Sequence, residues 1–196
     1  MKILAIGAHT DDVELGCGGV LLDHVDAGHE VHVLALSACE ETNEGADLRM
    51  EMHNSMEVLK PYGWICDVFE VRRFQRDRQA ILDRLIYHRD RLQPDIVYSP
   101  SIDDIHQDHS TVSEEARRAF HKYQGDPDFN AFTHFEYHQW WNAAGAVPDT
   151  EITLGRYGNQ KSLMIACYES QAHRFENFHM RYTHEHFSYV RGMSKL

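Results

Sequence analysis

Two short stretches hold most of the residues that could do chemistry. "GAHTDDVELGCGG", residues 7–19, places His9 and the adjacent carboxylates Asp11 and Asp12 where an apolar run gives way to a helix. "DDIHQDH", residues 103–109, adds Asp103, Asp104, His106, Asp108 and His109. Neighbouring carboxylates repel each other and a strand end solvates them poorly, so their pairing points to a cation. A catalytic zinc site takes three protein ligands from His, Asp or Glu and leaves a position for water, whose pKa it lowers toward ~7. His9, one carboxylate of the Asp pair and one histidine of the second stretch would make such a set. A carboxylate left off the metal could take the water's proton, and a second histidine could donate to the developing oxyanion or the leaving amine. The combination suits metal-assisted hydrolysis of an amide or ester. Each residue also has a plainer role: Asp11 or Asp12 as a helix N-cap, His9 as a hydrogen-bonded strand-end histidine, His106 and His109 as solvated loop residues. Joint occurrence in two stretches favours the metal.

The elements around them must bring residues nearly a hundred positions apart together. Apolar runs at 2–8, 30–37, 66–71 and 95–99 read as strands. Between and after them, 13–27, 47–60, 75–92 and 110–120 carry helical spacing, with Gly28 and Pro61 as stops. Four strand–helix repeats predict a single α/β domain over 1–196, a three-layer, doubly wound, mostly parallel sheet of Rossmann-like type. In the order 3-2-1-4-5, strands one and four are neighbours, and the crevice at their carboxyl ends is the usual ligand site. The two acidic, histidine-bearing stretches follow those two strands. Residues 131–137 read as a fifth strand, 161–170 as a further helix, and "NAAGAVPDT" between them as a loop. Gly16, Gly18 and Gly19 match neither phosphate-binding glycine pattern and read as room for close helix–sheet approach.

Composition narrows the partners. With a formal net charge of -12 over 196 residues, the chain would be repelled by nucleic acid and by anionic membranes. No apolar run is long enough to span a bilayer, and "MKILAIGA" reads as a core strand rather than a signal peptide. Four scattered cysteines (Cys17, Cys39, Cys66, Cys167) suit a reducing cytoplasm. "THFEYHQWW" could be a sugar-stacking wall but reads better as a strand and loop against the core, or as part of a homo-oligomer interface. The tail "HRFENFHMRYTHEHF" reads as solvated helix faces with aromatic anchors.

The two motifs resemble the PIG-L/LmbE-like family of zinc-dependent de-N-acetylases. The family's A-H-P-D-D-x-E stands here as Ala8 to Glu14, and its H-P-D-H as His106 to His109. Ser37 to Glu40 resembles a T-x-G-E turn, Lys161 with Tyr168, Ser170 and Gln171 a late K…Y-x-S-Q element, and Glu185 with Phe187 a terminal A-E-x-F. The resemblance implies Zn2+, or another divalent transition metal, on His9, Asp12 and His109. It implies Asp11 as general base, His106 as stabiliser of the tetrahedral intermediate, and Asp108 as the residue that orients His106. Glu14 and Arg49 would lie toward a small N-acetylated substrate, with specificity set around Asn43, Phe74, Asp104 and Trp140. The departures are Thr10 and Gln107, which replace prolines, Cys39, which replaces a glycine, and Ser37, which replaces a threonine.

Overall fold

A computed structural model describes residues 1–39, 47–121, 133–139, 141–143, 145–175 and 183–190. Strand β1 (Lys2–His9) is buried from Ile3 onward, as a strand covered on both faces must be. It pairs in parallel with β2 (Glu30–Ser37) and β4 (Ile96–Pro100). Beyond them lie β3 (Gly63–Cys66) and β5 (Thr133–Tyr137), also parallel. Two further strands, β6 (Thr150–Thr153) and β7 (His184–Tyr189), extend the sheet antiparallel to give the order β3-β2-β1-β4-β5-β7-β6. The first five strands follow the expected 3-2-1-4-5 order.

The helices cover both faces. Helix α1 (Asp12–Asp26) packs on the face that carries Ile3, Ala5 and Val33. Its glycines let side chains rest on the backbone: a Cβ at Gly16 would run into the Tyr137 ring, and one at Gly19 would come within 2.5 Å of Leu154. On the same face, α2 (Leu48–Leu59) buries Met52, Met56 and Leu59. It is capped by the Asp47 side chain on the Met50 N–H at 3.1 Å. The other face, with Leu4, Ile6 and Leu34, meets α3 (Phe74–Leu92) and α4 (Gln107–Ala119). Helix α5 (Tyr157–Ala166) packs beside α1.

Four expectations change. The third strand ends at Cys66 instead of starting there, and Val68, 72% exposed, lies in the loop that follows. The apolar run had the composition of a strand, but Arg72 turns the chain with φ +64. Helix α4 starts at Gln107, inside the second motif, because His106 already acts as its N-cap. The late helix occupies 157–166 instead of 161–170. The tail is not helical over 184–189. Its period-two pattern turns Glu185 and Phe187 inward and leaves His184 and His186 on the other face of β7.

Within "THFEYHQWW", residues 133–137 are β5 and pack in the core, while Trp140 lies outside the described residues. His134 is fully buried, its Nε2 2.8 Å from Ser99 Oγ. Burial holds its imidazole down at about 4. Below pH ~6.5 the unfolded chain takes up a proton there that the native chain refuses, so this stability is complete above pH 6.5 and drains as pH falls toward 4, by up to ~1.4 kcal/mol per pH unit. The midpoint of thermal unfolding is therefore expected to fall between pH 7 and pH 5, and less steeply in His134→Gln. Equal slopes for the two proteins would remove His134 as a source.

Candidate active site

Because β1 and β4 are hydrogen-bonded neighbours, their carboxyl-terminal loops meet. His9 closes β1, Asp12 opens α1, and His109 sits in the first turn of α4. His109 Nε2 lies 3.2 Å from His9 Nδ1 and 3.2 Å from Asp12 Oδ1. His9 Nδ1 lies 3.4 Å from Asp12 Oδ2. Three donor groups thus form a triangle with edges of 3.2–3.4 Å. Ligands at 2.0–2.2 Å from one ion in tetrahedral array stand ~3.3–3.6 Å apart, so the three groups, with one or other Asp12 oxygen, are spaced to share one divalent cation. His106 closes over it, its ring 5.0 Å from that of His9 and 4.5 Å from that of His109. A donor atom from each of the three histidines also falls within 4.8 Å of the others.

The outer nitrogens of both triangle histidines meet carboxylates. His9 Nε2 lies 3.2 Å from Asp108 Oδ2, and His109 Nδ1 lies 2.8 Å from Asp104 Oδ2. Such partners fix the tautomer and strengthen a metal-binding imidazole. Asp108 therefore serves His9 with its carboxylate and touches His106 only through its backbone N–H, at 3.3 Å from Nδ1. The correction follows from α4 starting early: in a first turn the Asp108 side chain reaches back to the loop and to β1. The same contact makes His106 Nδ1 an acceptor and places the ring's proton on Nε2.

Charge in the pocket is balanced as if for a cation. Burial would lower the His9 imidazole, but the hydrogen bonds to Asp108 and Asp12 outweigh it and hold it at about 9. His109 is likewise held at about 10 against burial, chiefly by the charges of Asp12 and Asp104. Asp12 is driven well down by those imidazoles despite its burial. Asp11 goes the other way, raised by burial and by the neighbouring Asp12 charge. His106 is lowered, by burial and then by the other two histidines. Asp11 occupies the N-cap position of α1, yet its side chain caps nothing. Asp12 accepts from the His9 backbone N–H at 2.8 Å, which folds the carboxylate back to the triangle.

Two expected substrate contacts are committed elsewhere. Glu14 is fully buried, with Oε1 2.8 Å from Ser55 Oγ and 2.8 Å from the Tyr168 hydroxyl, and burial pushes it up to about 8. Arg49 donates to the carbonyls of Cys66 and Asp67, at 2.7 and 3.0 Å. Among the expected specificity positions, Phe74 is buried, Asp104 holds His109, and Asn43 lies outside the described residues. The two missing prolines are compensated by hydrogen bonds. The Tyr168 hydroxyl donates to the Thr10 carbonyl and steadies the loop that lacks a proline. Gln107 uses Nε2 to hold the Arg72 carbonyl at 3.0 Å. Cys39 adopts φ +54, the left-handed conformation that a glycine takes freely. Gln139 was not foreseen: its Nε2 donates to Asp12 Oδ1 at 2.9 Å, and no motif marks it.

The family described as "PIG-L: GlcNAc-PI de-N-acetylase" matches residues 4–120, which contain both loops. The chain belongs to the PIG-L family. An Escherichia coli relative described as "uncharacterized deacetylase YaiS" is 30% identical over 118 residues, 56% of this chain and 63% of that protein. The match thus spans under two thirds of that relative's length. Among solved structures, N,N'-diacetylchitobiose deacetylase from Pyrococcus horikoshii aligns with a TM-score of 0.76 at 19% identity, over 97% of this chain and 84% of that one. GalB from Pseudomonas putida, the 4-carboxy-2-hydroxymuconate hydratase, aligns at 0.77 with 21% identity, over 100% and 99%. Both share the fold seen here. Among the described residues, no helix is long and apolar enough to cross a membrane.

Proposed function

We propose that this PIG-L chain is a metal-dependent hydrolase that removes an acetyl group from an N-acetylated amino sugar or a related small metabolite. The observation that carries the reading is the donor triangle. His9, Asp12 and His109 would hold the ion, and a set of two imidazoles and one carboxylate suits Zn2+, with Fe(II), Co(II) or Mn(II) able to take its place. A cation held there supplies Lewis acidity, which acidifies a water and polarises an acyl oxygen.

The chain's own residues do the rest. Asp11 lies beside the triangle and is partly open to solvent, so it can accept the proton of the attacking water. Its raised pKa brings it closer to neutral pH, where a base works best. His106, with its proton on Nε2, donates to the acyl oxygen as negative charge develops. In the balance of the reaction, water oxygen bonds to the acyl carbon, the C–N bond breaks, and the proton held by Asp11 leaves with the amine.

Protein purified without chelator should contain about one metal ion per chain and release acetate from one or more N-acetyl amino sugars. Chelation should abolish release, and added Zn2+ should restore it. His9→Ala should lose the metal. A metal-free chain that binds a sugar nucleotide would instead be a binding module, and a metal-loaded chain inert toward every N-acetyl compound would turn the search to other amides or to hydration, the reaction named for GalB. Either result overturns the de-N-acetylase reading.

A further inference from the structure

The loop between β3 and α3 folds back onto the second motif. Arg72 donates its backbone N–H to Asp108 Oδ2 at 2.6 Å, and its carbonyl accepts from Gln107 Nε2 at 3.0 Å. The same Asp108 oxygen is 3.2 Å from His9 Nε2. The Arg72 backbone is therefore two hydrogen bonds from a triangle histidine, a span that an extended arginine side chain covers.

The turn sets the backbone of Arg72 but does not explain its side chain. Its φ is +64, a conformation that burdens any residue with a Cβ and that glycine adopts freely. Both backbone bonds could be made by glycine, so the clamp itself does not call for an arginine. The neighbouring arginines all have acidic partners: Arg73 and Arg76 on Glu70, Arg78 on Glu115, Arg84 on Asp67. Arg72 is exposed and forms no ion pair among the described residues. A backbone outlier beside reacting groups is an observation from which function can be inferred.

We infer that Arg72 is a specificity-determining residue that receives an anionic group, a carboxylate or phosphate, on the substrate of the reaction proposed above, on which this inference rests. The planar guanidinium suits either group, by two parallel hydrogen bonds. The favoured substrate is then a negatively charged N-acetyl amine.

The test compares N-acetylglucosamine with its 6-carboxylate and with its 1- and 6-phosphates. The wild type should prefer at least one charged form, and which one separates carboxylate from phosphate. In Arg72→Gly, which keeps the turn without strain, the ratio of kcat/KM for charged over neutral substrate should fall about 10- to 100-fold, mainly through KM. Arg72→Lys, which keeps the charge, should recover part of it. A wild type with no preference for any charged form, or a ratio unmoved in Arg72→Gly, overturns the inference. If no N-acetyl compound is hydrolysed, calorimetry with glucosamine and its charged counterparts reads the same ratio in binding. That outcome would fault the hydrolase and leave Arg72 to be judged by the titration.

Discussion

Asp11→Asn is expected to lower kcat for acetate release by roughly 10²- to 10⁴-fold, the usual contribution of a general base, while metal content and thermal midpoint stay close to wild type. The amide keeps the size of the carboxylate and loses only its ability to take a proton. Asp11 is outside the donor triangle and caps no helix N–H, so neither the metal nor α1 should suffer. Asparagine also relieves the repulsion from Asp12 that raises Asp11 in the wild type, so any change in stability should be favourable. Asp12→Asn is the contrasting control. Asp12 contributes both oxygens to the site and is held by His9, His109 and Gln139, so its neutralisation should cost metal along with activity. The assignment fails if Asp11→Asn retains full kcat at saturating metal, or if it loses metal as Asp12→Asn does.

The pairing of loops was legible because it depends on few quantities. Strand–helix alternation fixes a parallel sheet, the doubly wound order makes β1 and β4 neighbours, and the carboxyl ends then face one crevice. His9, Asp12 and His109 converge for that reason. What stayed hidden depends on side-chain direction. Whether Asp108 serves His106 or His9 turns on where α4 begins, and boundaries shift by a residue or two for small differences in capping. His106 as N-cap was not foreseen, since serine, threonine, aspartate and asparagine dominate that position. Gln139 lies 127 residues from Asp12, and a glutamine after a strand carries no pattern of its own. β6 and β7 were missed because four of their ten residues are histidine or glutamate, which read as solvent-facing until partners inside the fold are known.

Those partners give the second large effect. Lys161→Met is expected to destabilise the protein by ~3–5 kcal/mol, a fall in melting temperature of about 10 °C for a chain of this length. The side chains of Lys161 and Glu185 are each 1% exposed, with Nζ 2.6 Å from Oε1. Neither charge spends its bonds on the other alone. Lys161 Nζ also donates to the Leu15 carbonyl at 2.8 Å, and Glu185 accepts from the backbone N–H groups of Gly19 and Val20 at 2.7 and 2.9 Å. The pair thus reaches into the middle of α1, the helix that starts at Asp12, from α5 and β7, which both lie beyond residue 120. Removing the ammonium leaves a buried carboxylate with two helix N–H groups and no counter-charge. The double variant Lys161→Met with Glu185→Gln should recover much of the loss, because the amide oxygen still accepts one N–H and no ion remains. A single variant within ~1 kcal/mol of wild type would show that water or rearrangement satisfies Glu185, and that α1 is not braced by this pair. If the expected losses appear, the chain beyond residue 120, outside the segment that matches the family, is what braces the middle of α1, the helix whose first residue is Asp12.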